Sequence, residues 1–151
     1  MWLGPDAHLV DSRAYLRRLY PGIRCSVELE LAVGRDNGGP AERRRLLGKL
    51  YREEQGATVY QTLGELRNHG LRAGRFRVPQ PLAYVAEYHL LLLTWAEGEL
   101  LRSVFLARSN AAPEIAVAAE WLLGLHQCSV RTGRRYSFLG HLQTLADGRS
   151  C

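Results

Sequence analysis

Residues 25–33 read Cys-Ser-Val-Glu-Leu-Glu-Leu-Ala-Val. Cys25, Val27, Leu29, Leu31 and Val33 fall on one side of an extended chain, and Ser26, Glu28 and Glu30 on the other. A period of two marks a strand with one face toward a core. Turn chemistry brackets the run. Pro21-Gly22 precedes it, where Pro presets φ and Gly accepts a positive φ. A loop, Gly-Arg-Asp-Asn-Gly-Gly-Pro at 34–40, follows it. Residues 14–20 and 44–52 flank these links as further extended runs, so the spacing predicts a three-stranded antiparallel meander. Residues 7–13 carry no clear period and are expected to form a short helix.

The third run contains Leu46-Leu47-Gly48-Lys49-Leu50-Tyr51, and Lys49 is the only lysine among 20 basic residues. An ammonium is a compact point charge on a thin stem, whereas a guanidinium is a broad planar fork. One ammonium kept inside an apolar run is the first candidate for a functional side chain. The alternative is a solvent-facing lysine, since half of all strand positions point outward.

A helix is expected over 54–69, with Val59, Leu63 and Leu66 on one face and Gly70 closing it. A basic loop ends in Val78-Pro79-Gln80-Pro81. Strands are expected over 82–87 and 89–95, the second apolar enough for burial on both faces. Ala96-Glu97-Gly98-Glu99-Leu100 reads as a hinge. Two helices should follow, over 100–108 and from Pro113 to Gln127, the latter with Ile115, Ala119, Leu122 and His126 on one stripe. The tail, 131–151, is polar, with Phe138-Leu139-Gly140-His141-Leu142 as an anchor. The fold class is α+β.

With 151 residues the chain fits one domain, or one and a part. A net charge of +5 suits an anionic small ligand. The arginines are scattered and the densest run, Arg43-Arg44-Arg45, is short, so no nucleic-acid module is expected. Cys25, Cys128 and Cys151 are odd in number and lack a Cys-x-x-Cys, which argues for reduced thiols in the cytoplasm. No aspartates and histidines fall at metal-ligand spacing. The amino terminus lacks a signal-peptide pattern and the apolar run around 90–96 is too short to span a bilayer, so no membrane partner is expected.

The order of strand, turn, strand, loop, lysine-bearing strand, helix, two strands, hinge and helices resembles a kinase amino-terminal lobe. No Gly-x-Gly-x-x-Gly is present. The local motifs are more similar to the aminoglycoside phosphotransferase and choline kinase family. They are Tyr20-Pro21-Gly22-Ile23-Arg24-Cys25, Leu47-Gly48-Lys49-Leu50-Tyr51, Leu63 to Leu66, Val78-Pro79-Gln80-Pro81-Leu82, the hinge pattern from Leu90 to Leu100, and Leu125-His126. Their shared order spans residues 14–128. The resemblance implies an ATP-side lobe over 1–95, made of a five-stranded antiparallel sheet and one helix. The hinge and the start of a helical carboxy-terminal lobe would occupy 96–151. It further implies that Lys49 holds the α- and β-phosphates of ATP and that Pro21 and Gly22 bring backbone N–H groups to them. Thr94, Trp95 and Ala96 would meet the adenine edge. A helix acid should pair with the lysine, and Glu54 at the helix start and Glu65 near its end are the acids available.

The family's His-Gly-Asp-x-x-x-x-Asn segment and its later metal-binding aspartate are not in the sequence; the nearest pieces are Gly140-His141 and Asp147. The expectation is therefore a truncated phosphotransferase, inactive alone, using magnesium only when a carboxy-terminal lobe is supplied. That lobe, or a second copy of the chain, would dock on the exposed helical face. The alternative is a non-enzymatic interaction module using the same face. His126 and His141 are read as packed histidines, and Tyr84, Tyr88 and Trp95 as core or hinge packing.

Overall fold

The computed structural model describes Gly4 and residues 6–36, 38–107 and 110–130. Strands β1 (Ala7–Tyr20), β2 (Arg24–Arg35) and β3 (Glu42–Tyr51) come first, then helix α1 (Gln55–Leu66). Strands β4 (Pro81–Val85) and β5 (Leu90–Thr94) follow, then helices α2 (Leu101–Ala107) and α3 (Ala112–Gln127). The strands form one open antiparallel sheet in the order β1-β2-β3-β5-β4. The class is α+β, as the sequence predicts.

The first hairpin closes on Pro21-Gly22. The Ile23 N–H donates to the Tyr20 carbonyl at 3.0 Å, and Gly22 takes a φ of 71°, which a side chain would oppose. β1 and β2 then pair from Tyr20↔Arg24 out to Ala7↔Arg35. Residues 7–13 are thus strand, not the short helix expected. The reason is a break in register between Leu9 and Asp11. A bulge there adds one residue and shifts the alternation, so the period of two is lost in the sequence while the pairing continues. A second shift, between Leu16 and Arg18, leaves Arg17 out of the ladder.

α1 covers one face of the sheet, against β3, β4 and β5. It approaches most closely at Gly56, where a Cβ would lie 2.6 Å from Tyr84 Cε2 and 3.0 Å from Tyr51 Cδ2. Tyr84 pairs with Leu91 in the ladder, so Leu91 shares the face beneath the helix, and Leu93 lies two residues on. Both are fully buried. Leu90 and Leu92 point the other way and are only half-buried. Burial of β5 on both faces, expected from its continuous apolar run, is therefore confined to one face. Among the described residues only that face carries a helix.

α1 ends at Leu66, and the backbone widens into a π turn at Arg67–Leu71 that Gly70 closes with a φ of 105°. Arg67 Nη1 donates to the Val78 carbonyl at 3.0 Å, and the Val78 N–H donates to the Leu71 carbonyl at 3.1 Å. These bonds fold the basic loop back on the helix end and bury Val78. α3 is tethered nearby by Arg75 to Glu120 at 3.1 Å and by His69 Nδ1 to Ser129 Oγ at 3.1 Å.

α2 buries Val104. No residue of α3 is buried, and Ile115, Leu122 and Leu123 are roughly half exposed. His126 is exposed rather than packed in a core, because among the described residues nothing lies over its stripe. Tyr88 is likewise exposed, at the end of a 3-10 turn spanning Ala86–Tyr88. His141, Asp147 and the 138–142 anchor lie outside the described residues. No helix among the described residues is long and apolar enough to cross a membrane.

Candidate functional site

Lys49 lies in β3 between Ser26 of β2 and Leu91 of β5. Leu91 also pairs with Tyr84, which touches α1, so the ammonium stem rises on the helix-covered face. The side chain is half-buried. Burial, and then the nearby Arg24 guanidinium, push its pKa below the usual 10.5. No carboxylate reaches it among the described residues. Glu54 is exposed at the amino-terminal cap of α1, and Glu65 is exposed on the far side of the same helix. The acid that the resemblance implies as the lysine's partner is therefore not placed there by either residue.

Other cations gather at the same corner. Arg18 pairs with Ser26 across the ladder, and Ser26 pairs with Lys49, so all three share one face. Arg24 pairs with Tyr51, two residues beyond Lys49, and joins that face as well. Arg18 and Arg24 both lie over the Tyr20 ring, at 4.7 and 5.0 Å from its centre. Neither arginine has an ion pair among the described residues. The Pro21-Gly22 turn caps this corner. Three unpaired cations beside a tight turn form a site of positive potential, and the lysine within it is partly out of water.

One register step along the same face is a different electrostatic unit. Glu28 pairs with Leu47 in the ladder, and its side chain is only 1% exposed. Arg17 binds its Oε2 through Nε and Nη2. Arg45 binds its Oε1 through Nε at 2.8 Å and Nη2 at 2.7 Å. Burial pushes the Glu28 carboxyl up, but the hydrogen bonds from Arg45 and Arg17 outweigh it, and it ends below its usual 4.5. Arg45 also lies over the Trp95 ring at 4.3 Å and reaches Glu97 at 3.6 Å. The sheet is in this way joined to the segment after β5.

The sequence pattern set Glu28 on the outward side of β2, yet Glu28 is buried, as Val33 is on the apolar side. Arg17 lies two residues beyond Tyr15, which pairs with Glu28, so it reaches the acid along the same face, and the bulge leaves it unpaired in the ladder. The antiparallel register has no local signature in this sequence, so the Arg17–Glu28–Arg45–Trp95 chain was not legible beforehand. The one available signal was an acid in the middle of an apolar strand.

The Thr94 N–H donates to the Gln80 carbonyl at 3.0 Å, and Thr94 Oγ1 accepts from the Gln80 N–H at 2.9 Å. Of the three predicted hinge residues, Trp95 and Ala96 lie past the strand end, and Thr94 is held inside the sheet. Trp95 is half-buried and Ala96 exposed. A shallow groove of about 310 Å³ lies at the opposite end of β1–β3, lined by Asp11, Arg13, Glu30, Ala32, Arg43 and Arg45 among others. It does not include Lys49. Among the described residues no cluster of three His, Cys, Asp or Glu side chains is arranged to hold a metal. Cys25 and Cys128 are free thiols.

Comparison with models of known protein families, with curated proteins and with solved structures gave no match.

Proposed function

We propose that this chain is the nucleotide-side portion of a small-molecule phosphotransferase, similar to the aminoglycoside phosphotransferase and choline kinase family, and that it binds the phosphates of ATP without transferring them. The observation that carries this reading is Lys49 itself. Its ammonium is half-buried on the helix side of the sheet, has no carboxylate partner among the described residues, and shares its corner with Arg18 and Arg24. A partly desolvated cation without a counter-ion is costly unless an anion arrives. Phosphate oxygens fit that need, and an ammonium–phosphate contact strengthens away from water.

The element order supports the same reading. Lys49 is on the central strand of the five, α1 follows that strand directly, and β5 leads out to Trp95, Ala96 and the Gly98 hinge. Lys49, with the Pro21-Gly22 turn, would hold the triphosphate, and Trp95 and Ala96 would border the base. Bound ATP supplies the transferable phosphoryl group. Orienting an acceptor hydroxyl and holding magnesium need carboxylates that this corner does not offer among the described residues, so this reading leaves phosphate transfer to a separate lobe.

Calorimetric titration of ATP against wild type and Lys49→Ala tests the proposal. Tighter binding by wild type is expected, by about tenfold or more for the loss of one charge-assisted contact. Equal affinities, or no binding by either protein, removes the nucleotide reading.

A second reading rests on the helices after the hinge, where Leu106 of α2 and Ile115, Leu122 and Leu123 of α3 are each exposed. Exposed apolar surface marks partner sites where it is contiguous. Sedimentation of wild type against the double variant Leu122→Glu, Leu123→Glu distinguishes it: association that the variant abolishes supports a docking face there.

A further inference from the structure

Among the described residues β1 forms one edge of the sheet and pairs with β2 alone. Twelve of its fourteen residues are exposed, Leu16 at 62% and Tyr15 at 40% among them. Register shifts set Val10 and Arg17 out of the ladder, and between them residues 11–16 run in unbroken register. A regular strand edge offers a row of unpaired N–H and C=O groups, and proteins commonly blunt such edges with proline, charge or bulges. The stretch from 11 to 16 contains no proline and one charge of each sign, Asp11 and Arg13. The two bulges delimit the regular edge; they do not interrupt it.

We propose that a second copy of this chain pairs antiparallel along this edge, β1 against β1, joining two five-stranded sheets into one. Symmetry restricts the register. Directly opposite residues share a face of the sheet, so a two-fold axis must pass where a residue meets its own copy. Centring on Arg13 sets like charges against each other. Centring on Ser12 sets the bulged Val10 against Ala14. Centring on Ala14 avoids the like-charge pair and keeps the longer stretch, Ser12 to Leu16, clear of both bulges, where centring on Ser12 keeps only residues 11–13. Ser12 to Leu16 then pair throughout, and Arg13 faces the second copy's Tyr15; the bulged Arg17, bound to Glu28, falls beyond this stretch. The one charge of the paired stretch meets an aromatic ring, and the smallest side chain of the stretch sits on the axis. On the other face Ala14 and Leu16, which pair with Leu29 and Val27, carry that aliphatic surface across the axis. This surface is separate from that of α2 and α3, and the inference does not rest on the nucleotide reading.

A disulfide test addresses the register directly. Opposite residues in an antiparallel pair have Cα atoms about 4.5–5.5 Å apart, within disulfide range. Cys25, Cys128 and Cys151 are first changed to Ser in the full chain, and then either Ala14→Cys or Ser12→Cys is added. Both altered positions are exposed, and circular dichroism checks that each variant is folded. The expected result is a dimer by sedimentation, with efficient cross-linking of Ala14→Cys under mild oxidation and little of Ser12→Cys. A monomer at every concentration, a dimer in which neither cysteine cross-links, or equal cross-linking at both positions overturns the proposal.

Discussion

The Arg45 guanidinium stacks on the Trp95 ring at 4.3 Å and with its edge holds Glu28 at 2.7 Å. A planar fork can do both at once, and an ammonium cannot. Arg45→Lys should therefore lower the melting temperature although the charge is kept. Arg45→Met should lower it further, because Glu28 would keep only Arg17. Thermal unfolding followed by circular dichroism orders the three proteins. Identical melts for wild type and Arg45→Lys would show that the stack contributes nothing.

The same carboxylate predicts an acid response. The folded-state pKa of Glu28 lies below its ordinary 4.5. The folded state therefore releases the proton more readily than the unfolded chain. Its stabilising contribution is complete above about pH 4.5 and fades as pH falls through the lower folded value. Glu28→Gln should be less stable than wild type at pH 7, and the gap should narrow on acidification below 4.5. Paired urea titrations at neutral and acid pH measure the gap.

Lys49 has the opposite character. Its pKa is lowered from 10.5, so the charged form is disfavoured by folding. Below the folded pKa that penalty is fully present. Between it and 10.5 the unfolded chain holds a proton that the folded chain has released, and stability rises with pH. Lys49→Met should hence be at least as stable as wild type at neutral pH while losing nucleotide binding. The advantage should shrink toward pH 10.5. Tyr51, whose pKa burial raises above 10.0, titrates in the same region, so the variant must be compared with wild type at each pH. A destabilised Lys49→Met would indicate that the amine serves the fold instead of a ligand.

Two glycines of α1 should answer oppositely to alanine. At Gly56 a Cβ would press into the Tyr84 and Tyr51 rings, whereas at Gly64 nothing lies within 4 Å. Gly56→Ala should cost about 1–3 kcal/mol through overpacking, partly offset by helix propensity. Gly64→Ala should gain roughly 0.5–1 kcal/mol from propensity alone. Urea unfolding of both variants gives the two signs.

The apolar stripe of α3 should be dispensable for folding. Leu122 is 48% exposed and Ile115 53%. Replacing either with Ser should change unfolding free energy by no more than about 0.5 kcal/mol. A larger loss would show that the stripe is covered in solution.

Elements declared by local chemistry were legible in the sequence. The strict alternation of 25–33, the Pro-Gly turn, the proline that opens α3 and the glycine that closes the turn after α1 each impose a backbone state on their own few residues. From these the three-stranded meander, the helix after it and the two later strands follow with ends off by only a few positions, apart from β1, which starts seven residues before the expected 14. The solitary lysine could be placed on the third strand by the same reasoning. The tertiary structure decided which face each strand turned inward, because that depends on where α1 lands and not on the strand's own period. It buried Glu28 instead of exposing it, brought Arg17 to that acid from the neighbouring strand, and set Trp95 under Arg45 across a long gap in sequence. It also gathered Arg18 and Arg24 around Lys49, a cluster that exists only because antiparallel register aligns residues far apart in the chain. Periodicity is a property of neighbours along the backbone, whereas electrostatic partnership is a property of neighbours in space, and only folding converts one into the other.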